Sequence, residues 1–315
     1  LGKKCMEVFR SDFCEAGCPL KRSMRTGETL RGVELNLRAR DGSVVPIASS
    51  TAVLKDEEGR PIGGICSFRD LREVHAVPAS QGQVRDFLGM VSKNHRMHEI
   101  FDLIEIVAES DANVLIEGES GTGKELVARA IHRLSGRREK PFLGVNCASL
   151  NENLMESELF GHVRGAFTGA VKDRMGRFEM AEGGTLFLDE VSEIGPHLQA
   201  KLLRVVQERE YQRVGETRTR KADVRILSAT NRRLKDLLAS GSFRDDLYYR
   251  LNVVSIIPPP LRERKEDIPV LVDHFLDRSR EHHGGLRRSF SPLAMRVLLE
   301  YSWPGNVREL ENAVE

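Results

Sequence analysis

The spacing of apolar residues changes character twice along this chain. In Leu35-Asn36-Leu37-Arg38-Ala39-Arg40 apolar and polar positions alternate, Asp41-Gly42 interrupts, and Val44-Val45-Pro46-Ile47-Ala48 resumes. Alternation broken by Asp-Gly predicts a β-hairpin. Val53-Leu54, a second turn at Asp56-Glu57-Glu58-Gly59 and the run Ile62–Phe68 extend the pattern, so residues 1–70 read as part of a small antiparallel sheet. Residues 71–87, with Pro78, Ser80, Gly82 and few large apolar side chains, read as a linker. Beyond it, short apolar runs alternate with helical spacing over 88–260. Strands are expected at 113–117, 142–147, 185–189, 224–229 and 253–257, which predicts an α/β fold with a parallel sheet and helices on both faces. After Pro258-Pro259-Pro260 the strands stop. Helices are expected at 267–283 and at 292–300, where Ser291 is an N-cap and Pro292 the first helical residue, and again from Asn306. Residues 261–315 thus form a small helical domain.

With 315 residues, 40% of them hydrophobic and 30% charged, the chain has room for two or three domains with a real core. A net charge of +1 gives no global attraction to nucleic acid or membrane. No apolar run approaches the roughly 18 residues that span a bilayer. The chain opens on Leu1 and closes on Glu315 inside a helical pattern, as a piece of a longer protein would. Five scattered cysteines suit a reducing, cytoplasmic setting.

The strongest chemistry lies in Gly118-Glu119-Ser120-Gly121-Thr122-Gly123-Lys124-Glu125, between the apolar run ending at Ile116 and the helix-like Leu126–Ile131. A strand that ends in a glycine-rich loop and opens a helix aims successive backbone N–H groups, and the positive end of the helix dipole, at one spot. A polyphosphate suits that spot, with Lys124 reaching its outer phosphates. A glycine turn beside a surface lysine would look similar only without the flanking strand and helix. Glu125 stands where this motif usually has a hydroxyl, so a carboxylate there could serve Mg²⁺ directly or through water.

Thr185–Leu188 ends in Asp189-Glu190. Asp189 is placed to hold Mg²⁺, and Glu190 to orient an attacking water; alone, the pair would read as a helix cap and a surface acid. Asn231 ends another strand, where it could sense the terminal phosphate or merely cap a helix. Asn146 ends a third and could hold Glu190 toward or away from water. Arg244 and Arg250 lie six apart on a helix, as surface ion pairs or as fingers reaching a neighbour's nucleotide in a ring. Arg308, in Trp303–Leu310, could report nucleotide to the helical domain of its own chain. In Gly165-Ala166-Phe167-Thr168-Gly169-Ala170, glycines bracket an aromatic and a hydroxyl. This is a turn tucking Phe167 into the core, or a mobile loop offering Phe167 and Thr168 to a partner.

Taken together, Gly118–Glu125 with its final Glu, Gly161-His162-Val163-Arg164 leading into Gly165–Ala170, Asp189-Glu190 and Trp303–Leu310 resemble the sigma-54-dependent transcriptional activators. These are bacterial enhancer-binding proteins with an AAA+ ATPase core. The resemblance covers roughly 87–315, and Gly165–Ala170 is its most specific part. It implies an AAA+ sheet with a helical lid, ATP on the P-loop and Lys124, and Mg²⁺ and water handled by Asp189 and Glu190. Asn146 would couple Glu190 to the loop, Arg244 and Arg250 would act in trans, and Arg308 would be the lid's sensor arginine. Gly165, Phe167, Thr168 and Gly169 would contact sigma-54, with Arg213-Val214-Gly215 supporting that loop. The family works as a hexameric ring, with dimer and heptamer as further assemblies, and remodels closed complexes of the sigma-54 RNA polymerase holoenzyme into open ones. Enhancer DNA would be bound only by a helix-turn-helix domain beyond Glu315, so little sequence-specific DNA binding is expected here.

Residues 1–70 resemble the end of a PAS sensory domain, with Phe68-Arg69-Asp70-Leu71 at its exit. Cys5, Cys14 and Cys18 cluster ahead of that sheet and could ligate an iron–sulfur centre or zinc, or remain reduced thiols. Cys66 and Cys147 are expected to pack in the sheets. Two other functions fit the same residues: a sensory module whose nucleotide serves only assembly, and a general AAA+ unfoldase. Turnover lost in Lys124→Ala and Glu190→Gln separates the first from an ATPase, and the Gly165–Ala170 loop separates the second.

Overall fold

The computed structural model describes residues 10–11, 18–26, 30–38, 44–55, 61–70, 83–149, 151–283 and 289–315. The chain divides into two compact units, Leu1–Ser80 and Gln81–Glu315.

In the first unit, β1 (Arg10–Ser11), β2 (Leu30–Arg38), β3 (Val44–Lys55) and β4 (Pro61–Asp70) form an antiparallel sheet in that order, accompanied by α1 (Pro19–Thr26). Leu35 faces Ile47 and Leu37 faces Val45 across β2 and β3, the pairing that the alternation predicts. Val45, Ile47, Ser49 and Thr51 are all buried, one face of a strand at a period of two. The two buried hydroxyls are satisfied: Thr51 Oγ1 lies 2.6 Å from Ser23 Oγ of α1, and Ser49 Oγ lies 3.2 Å from Cys66 Sγ. The expected turns at Asp41-Gly42 and Asp56–Gly59 lie outside the described residues.

The second unit opens with a hairpin of β5 (Arg85–Phe87) and β6 (Met90–Ser92), turning through Leu88 and Gly89, both at positive φ. Its start narrows the expected linker, whose last three residues are this strand. Phe87 stacks on Phe101 at 4.8 Å, and that burial draws 85–87 into the core. Next come α2 (His95–Ala108), β7 (Val114–Glu117), α3 (Lys124–Leu134), β8 (Phe142–Asn146) and α4 (Glu152–Phe160). A second hairpin, β9 (Gly161–His162) and β10 (Arg174–Met175), precedes α5 (Arg177–Met180), β11 (Thr185–Asp189) and α6 (Pro196–Glu208). The pair β12 (Glu210–Tyr211) and β13 (Arg220–Lys221) leads to β14 (Arg225–Thr230), α7 (Leu234–Ala239), α8 (Asp245–Leu251) and β15 (Val254–Ile256).

The main sheet is parallel in the order β15-β7-β14-β11-β8. Its three central strands, β7, β14 and β11, are buried on both faces: Leu115, Leu186, Leu188 and Ile226 join one apolar cluster, and Val114, Ile116, Phe187 and Leu227 the other. Such strands read as continuous apolar runs, which is why they were legible. Arg225 is the exception. Fully buried, it donates to Val107 O (2.9 Å), Ala112 O (3.3 Å) and Ala108 O (3.4 Å), binding carbonyls at and just beyond the end of α2.

The helical domain consists of α9 (Asp267–His283), α10 (Pro292–Glu300) and α11 (Asn306–Val314). Ser291 caps α10 by accepting from Ala294 N, as expected. Leu261, Ile268, Leu271, Val272, Phe275, Trp303 and Leu310 form its core together with Val91 of β6. A buried carboxylate ties the same elements. Asp267 accepts from Ser92 Oγ (2.7 Å), Lys93 N (2.6 Å) and Asn94 N (3.1 Å).

Candidate active site

The site lies at the carboxyl edge of the sheet, where β7, β11 and β14 end together. Gly118 N donates to Thr230 O (3.1 Å), binding the start of the glycine-rich loop to the neighbouring strand end. Gly121 (φ 78°) and Gly123 (φ 98°) supply the left-handed residues that curl the loop into an anion nest before α3 begins at Lys124. Thr122 Oγ1 donates to Glu119 O (2.9 Å). Lys124 is buried, and its ammonium donates to Gly118 O (2.8 Å) and Glu119 O (3.3 Å). Burial pushes its pKa down while the carboxylates of Glu190 and Asp189 pull it back up. Burial also raises the Asp189 pKa, against the pull of Lys124. Each group therefore lies within electrostatic reach of the others, an ammonium beside two acids in a poorly solvated corner.

Glu190 adopts a left-handed conformation (φ 53°, ψ 49°), a strained state for a non-glycine residue that turns it out of the strand line. Its Oε2 accepts from Asn231 N (3.0 Å), so Asn231 touches the acid through its backbone. Asn146 lies opposite Asp189 in the sheet register. Its Oδ1, however, accepts from Ala148 N (2.9 Å), so it caps its own turn and leaves Glu190 to Asn231. The Glu125 carboxylate accepts from Arg129 one turn on (2.7 and 2.9 Å), while its charge also acts on Asp189. Glu125 and Arg129 lie on one helix face at the favourable i, i+4 spacing. Arg308 Nη1 reaches Ser120 Oγ at 3.5 Å, and its charge acts on both Lys124 and Asp189, so the lid arginine joins the cluster. Arg244 is exposed at the start of α8, paired with Asp246 (2.8 Å), and Arg250 is exposed at the end of the same helix.

Beside the nest a cleft with room for about 90 Å³ runs between β6, α3 and α9. Met90, Val91, Leu126, Val127, Leu271 and Phe275 wall it, and it opens onto Thr122 and Gly123. The Nε of Arg264, a buried residue on its wall, has no partner among the described residues. A glycine nest, an ammonium, paired acids and an apolar cleft fit a magnesium nucleotide, its phosphates in the nest and its base in the cleft. Sequence reading missed Arg262, Arg264 and the 89–91 wall, because charges after a proline run look like any solvated helix start.

The loop Gly165–Ala170 rises from the β9–β10 hairpin. Gly165 N donates to Ala170 O (2.9 Å) and Ala170 N to Phe167 O (3.0 Å), so the loop closes on itself. Phe167 is 41% exposed and leans edge-on against His162 at 4.9 Å, and Thr168 and Gly169 are exposed. Phe167 is thus not tucked into the core. Val163 N donates to Val214 O (3.1 Å), and a Cβ on Gly215 would fall 2.7 Å from Ala166 Cβ. The 213–215 segment does back the loop, and it is anchored in turn by Arg213 on Glu179 (2.6 Å).

Cys5 and Cys14 lie outside the described residues, and Cys18 and Cys66 are half-buried free thiols. Among the described residues no group of His, Cys, Asp and Glu could hold a metal ion by itself. Cys147 is buried, which pushes its thiol up to about 12. No described helix is long and apolar enough to cross a membrane.

The five-stranded parallel sheet, its P-loop after β7, the acids at the end of β11 with β14 between them, and the helical lid define an AAA+ nucleotide-binding domain. The family described as the sigma-54 interaction domain matches residues 90–257, and the AAA+ ATPase lid domain matches 262–315. The chain belongs to the sigma-54 interaction domain family. It is 60% identical over 219 residues to a Nif-specific regulatory protein of Herbaspirillum seropedicae, covering 70% of this chain and 40% of that one. To the transcriptional regulatory protein ZraR of Escherichia coli K12 it is 57% identical over 243 residues, covering 77% and 54%. The crystal structure of NtrX from Brucella abortus in complex with ATP superposes with a TM-score of 0.68 at 43% identity, over 72% of this chain and 50% of that one. The chain spans about half the length of the curated relatives it matches.

Proposed function

We propose that this chain hydrolyses ATP and uses the energy to move the Gly165–Ala170 loop against sigma-54, remodelling closed promoter complexes of the holoenzyme into open ones. The observation that carries this reading is the pairing, in one unit, of the Lys124, Asp189 and Glu190 cluster with a backed, outward loop that offers Phe167 and Thr168. Bound Mg²⁺ would supply charge to the phosphates, with Asp189 holding it. The N–H groups of 121–123 and Lys124 orient the phosphates. Glu190 orients the attacking water once it leaves Asn231 N, and Asn146, opposite Asp189 in the sheet register, takes it over. Arg244 and Arg250 act on a neighbour's nucleotide in a hexameric ring, a reading supported by their exposure on one helix. The antiparallel sheet of the first unit, similar to a PAS domain, supplies the regulatory input.

Phosphate release and promoter opening, measured together, test the reading. Thr168→Ala should abolish open-complex formation while hydrolysis stays within about twofold. An active Thr168→Ala protein would remove the loop from the mechanism. Specific activity should climb with protein concentration, and a flat dependence would exclude catalysis in trans.

A further inference from the structure

The outer side of the P-loop is held almost atom by atom by the lid. Asn306 Nδ2 donates to Ser120 O (3.0 Å), Val307 N to Gly121 O (3.0 Å) and Arg264 Nη2 to Thr122 O (3.3 Å). The side chain of Glu119 is gripped too: Arg262 donates both terminal nitrogens to its two oxygens (2.6 and 2.7 Å), and Asn306 Nδ2 adds a third contact (3.2 Å). Asn306 Oδ1 accepts from Leu261 N (2.8 Å), so the two lid segments are also fastened to each other at the point of contact. Asn306 is fully buried and left-handed (φ 54°), and the approach is so close that a Cβ on Gly121 would fall 2.1 Å from Gly305 O.

Each peptide unit is planar and trans, so the carbonyl of one residue and the N–H of the next point to opposite sides. Holding the oxygens of 120, 121 and 122 from outside therefore fixes the N–H groups of 121, 122 and 123 toward the inside of the loop. Of these, Thr122 N also reaches Glu119 O at 3.4 Å. We propose that the lid builds the phosphate nest: Arg262, Glu119 and Asn306 are positioning residues that aim the P-loop donors at the nucleotide's polyphosphate without touching it. Phosphate affinity is then set by contacts on the far side of the loop from the ligand, and loosening the lid costs affinity in proportion to the phosphates bound. This rests on the reading of the loop as the nucleotide site.

The test uses Glu119→Gln, Arg262→Ala and Arg262→Lys, all at partly exposed positions, in preference to the buried Asn306. Dissociation constants for ATP, ADP and AMP are measured by competition with a fluorescent nucleotide, alongside thermal melting. In Arg262→Ala the ATP constant should rise about tenfold and the AMP constant less than about twofold, with ADP between them. Arg262→Lys should recover part of the loss, and Glu119→Gln combined with Arg262→Ala should be no worse than Arg262→Ala alone. Equal losses for the three nucleotides, additive single effects or unchanged ATP affinity in the single variants would each overturn the proposal. Wild-type protein that binds no ATP would instead refute the nucleotide site itself.

Discussion

Two glycine-rich loops in this molecule are built in opposite ways. Gly118–Lys124 is clamped from outside: the carbonyls of 120–122 and the Glu119 side chain are taken by lid groups, and no Cβ fits at Gly121. Gly165–Ala170 is closed by its own turn bonds, backed on one side by 213–215, and open where Phe167 and Thr168 face solvent. No atom lies within 4 Å of a Cβ built at Gly165 or Gly169. A loop that must present fixed donors to a small anion needs external restraint, because each N–H is only as well aimed as its peptide plane. A loop that must change its contacts with a large partner needs the reverse, with few restraints to break on each excursion.

The sharpest break between the two is catalytic. Lys124→Ala should reduce phosphate release by about a thousandfold, whereas Thr168→Ala stays near wild type; comparable losses would mean that the loops are not separate devices. Substituting the glycines sharpens the contrast through stability. Gly121→Ala combines positive φ with the collision at Gly305 and should cost about 3 kcal/mol in denaturant unfolding, whereas Gly165→Ala meets only the left-handed penalty of about 1 kcal/mol. Phe167→Ala should cost about 1 kcal/mol, less than a fully buried ring, since the residue is already 41% exposed.

The smallest effect is on pH dependence. Arg262, then Asn306, hold the Glu119 carboxyl at about 2, against its ordinary 4.5. A depressed carboxyl stabilises the folded state above its ordinary value and loses that contribution as pH falls through its folded value. The melting-temperature gap between wild type and Glu119→Gln should be constant near neutrality and narrow from pH 4.5 toward 2. A gap that widens on acidification would contradict the clamp.

Much of this was legible in the sequence where one rule decided the outcome. Strands buried on both faces announce themselves as apolar runs, Ser291 and Pro292 as a helix start, and the glycines of 118–123 as a nest. The illegible part was side-chain direction. Nothing in the order of residues says that Glu125 turns to Arg129, that Asn146 bonds Ala148, or that Arg225 inside a strand caps a distant helix. These choices are made by competition among nearby partners, and the partners come from segments far apart in the chain. Arg262 and Arg264 stayed hidden for the same reason, since their importance exists only once the lid folds over residues 119–122.

Asp267 has a practical corollary for anyone wishing to trim this protein. Its carboxylate is wholly buried and lives on donors from Ser92, Lys93 and Asn94, about 170 positions earlier. A fragment that begins after Asn94 would leave this buried anion with the Arg264 guanidinium at 3.7 Å in place of three hydrogen-bond donors, a penalty of several kcal/mol. The shortest autonomous piece of the second unit should therefore start no later than Arg85, with the opening hairpin retained as if it were part of the lid.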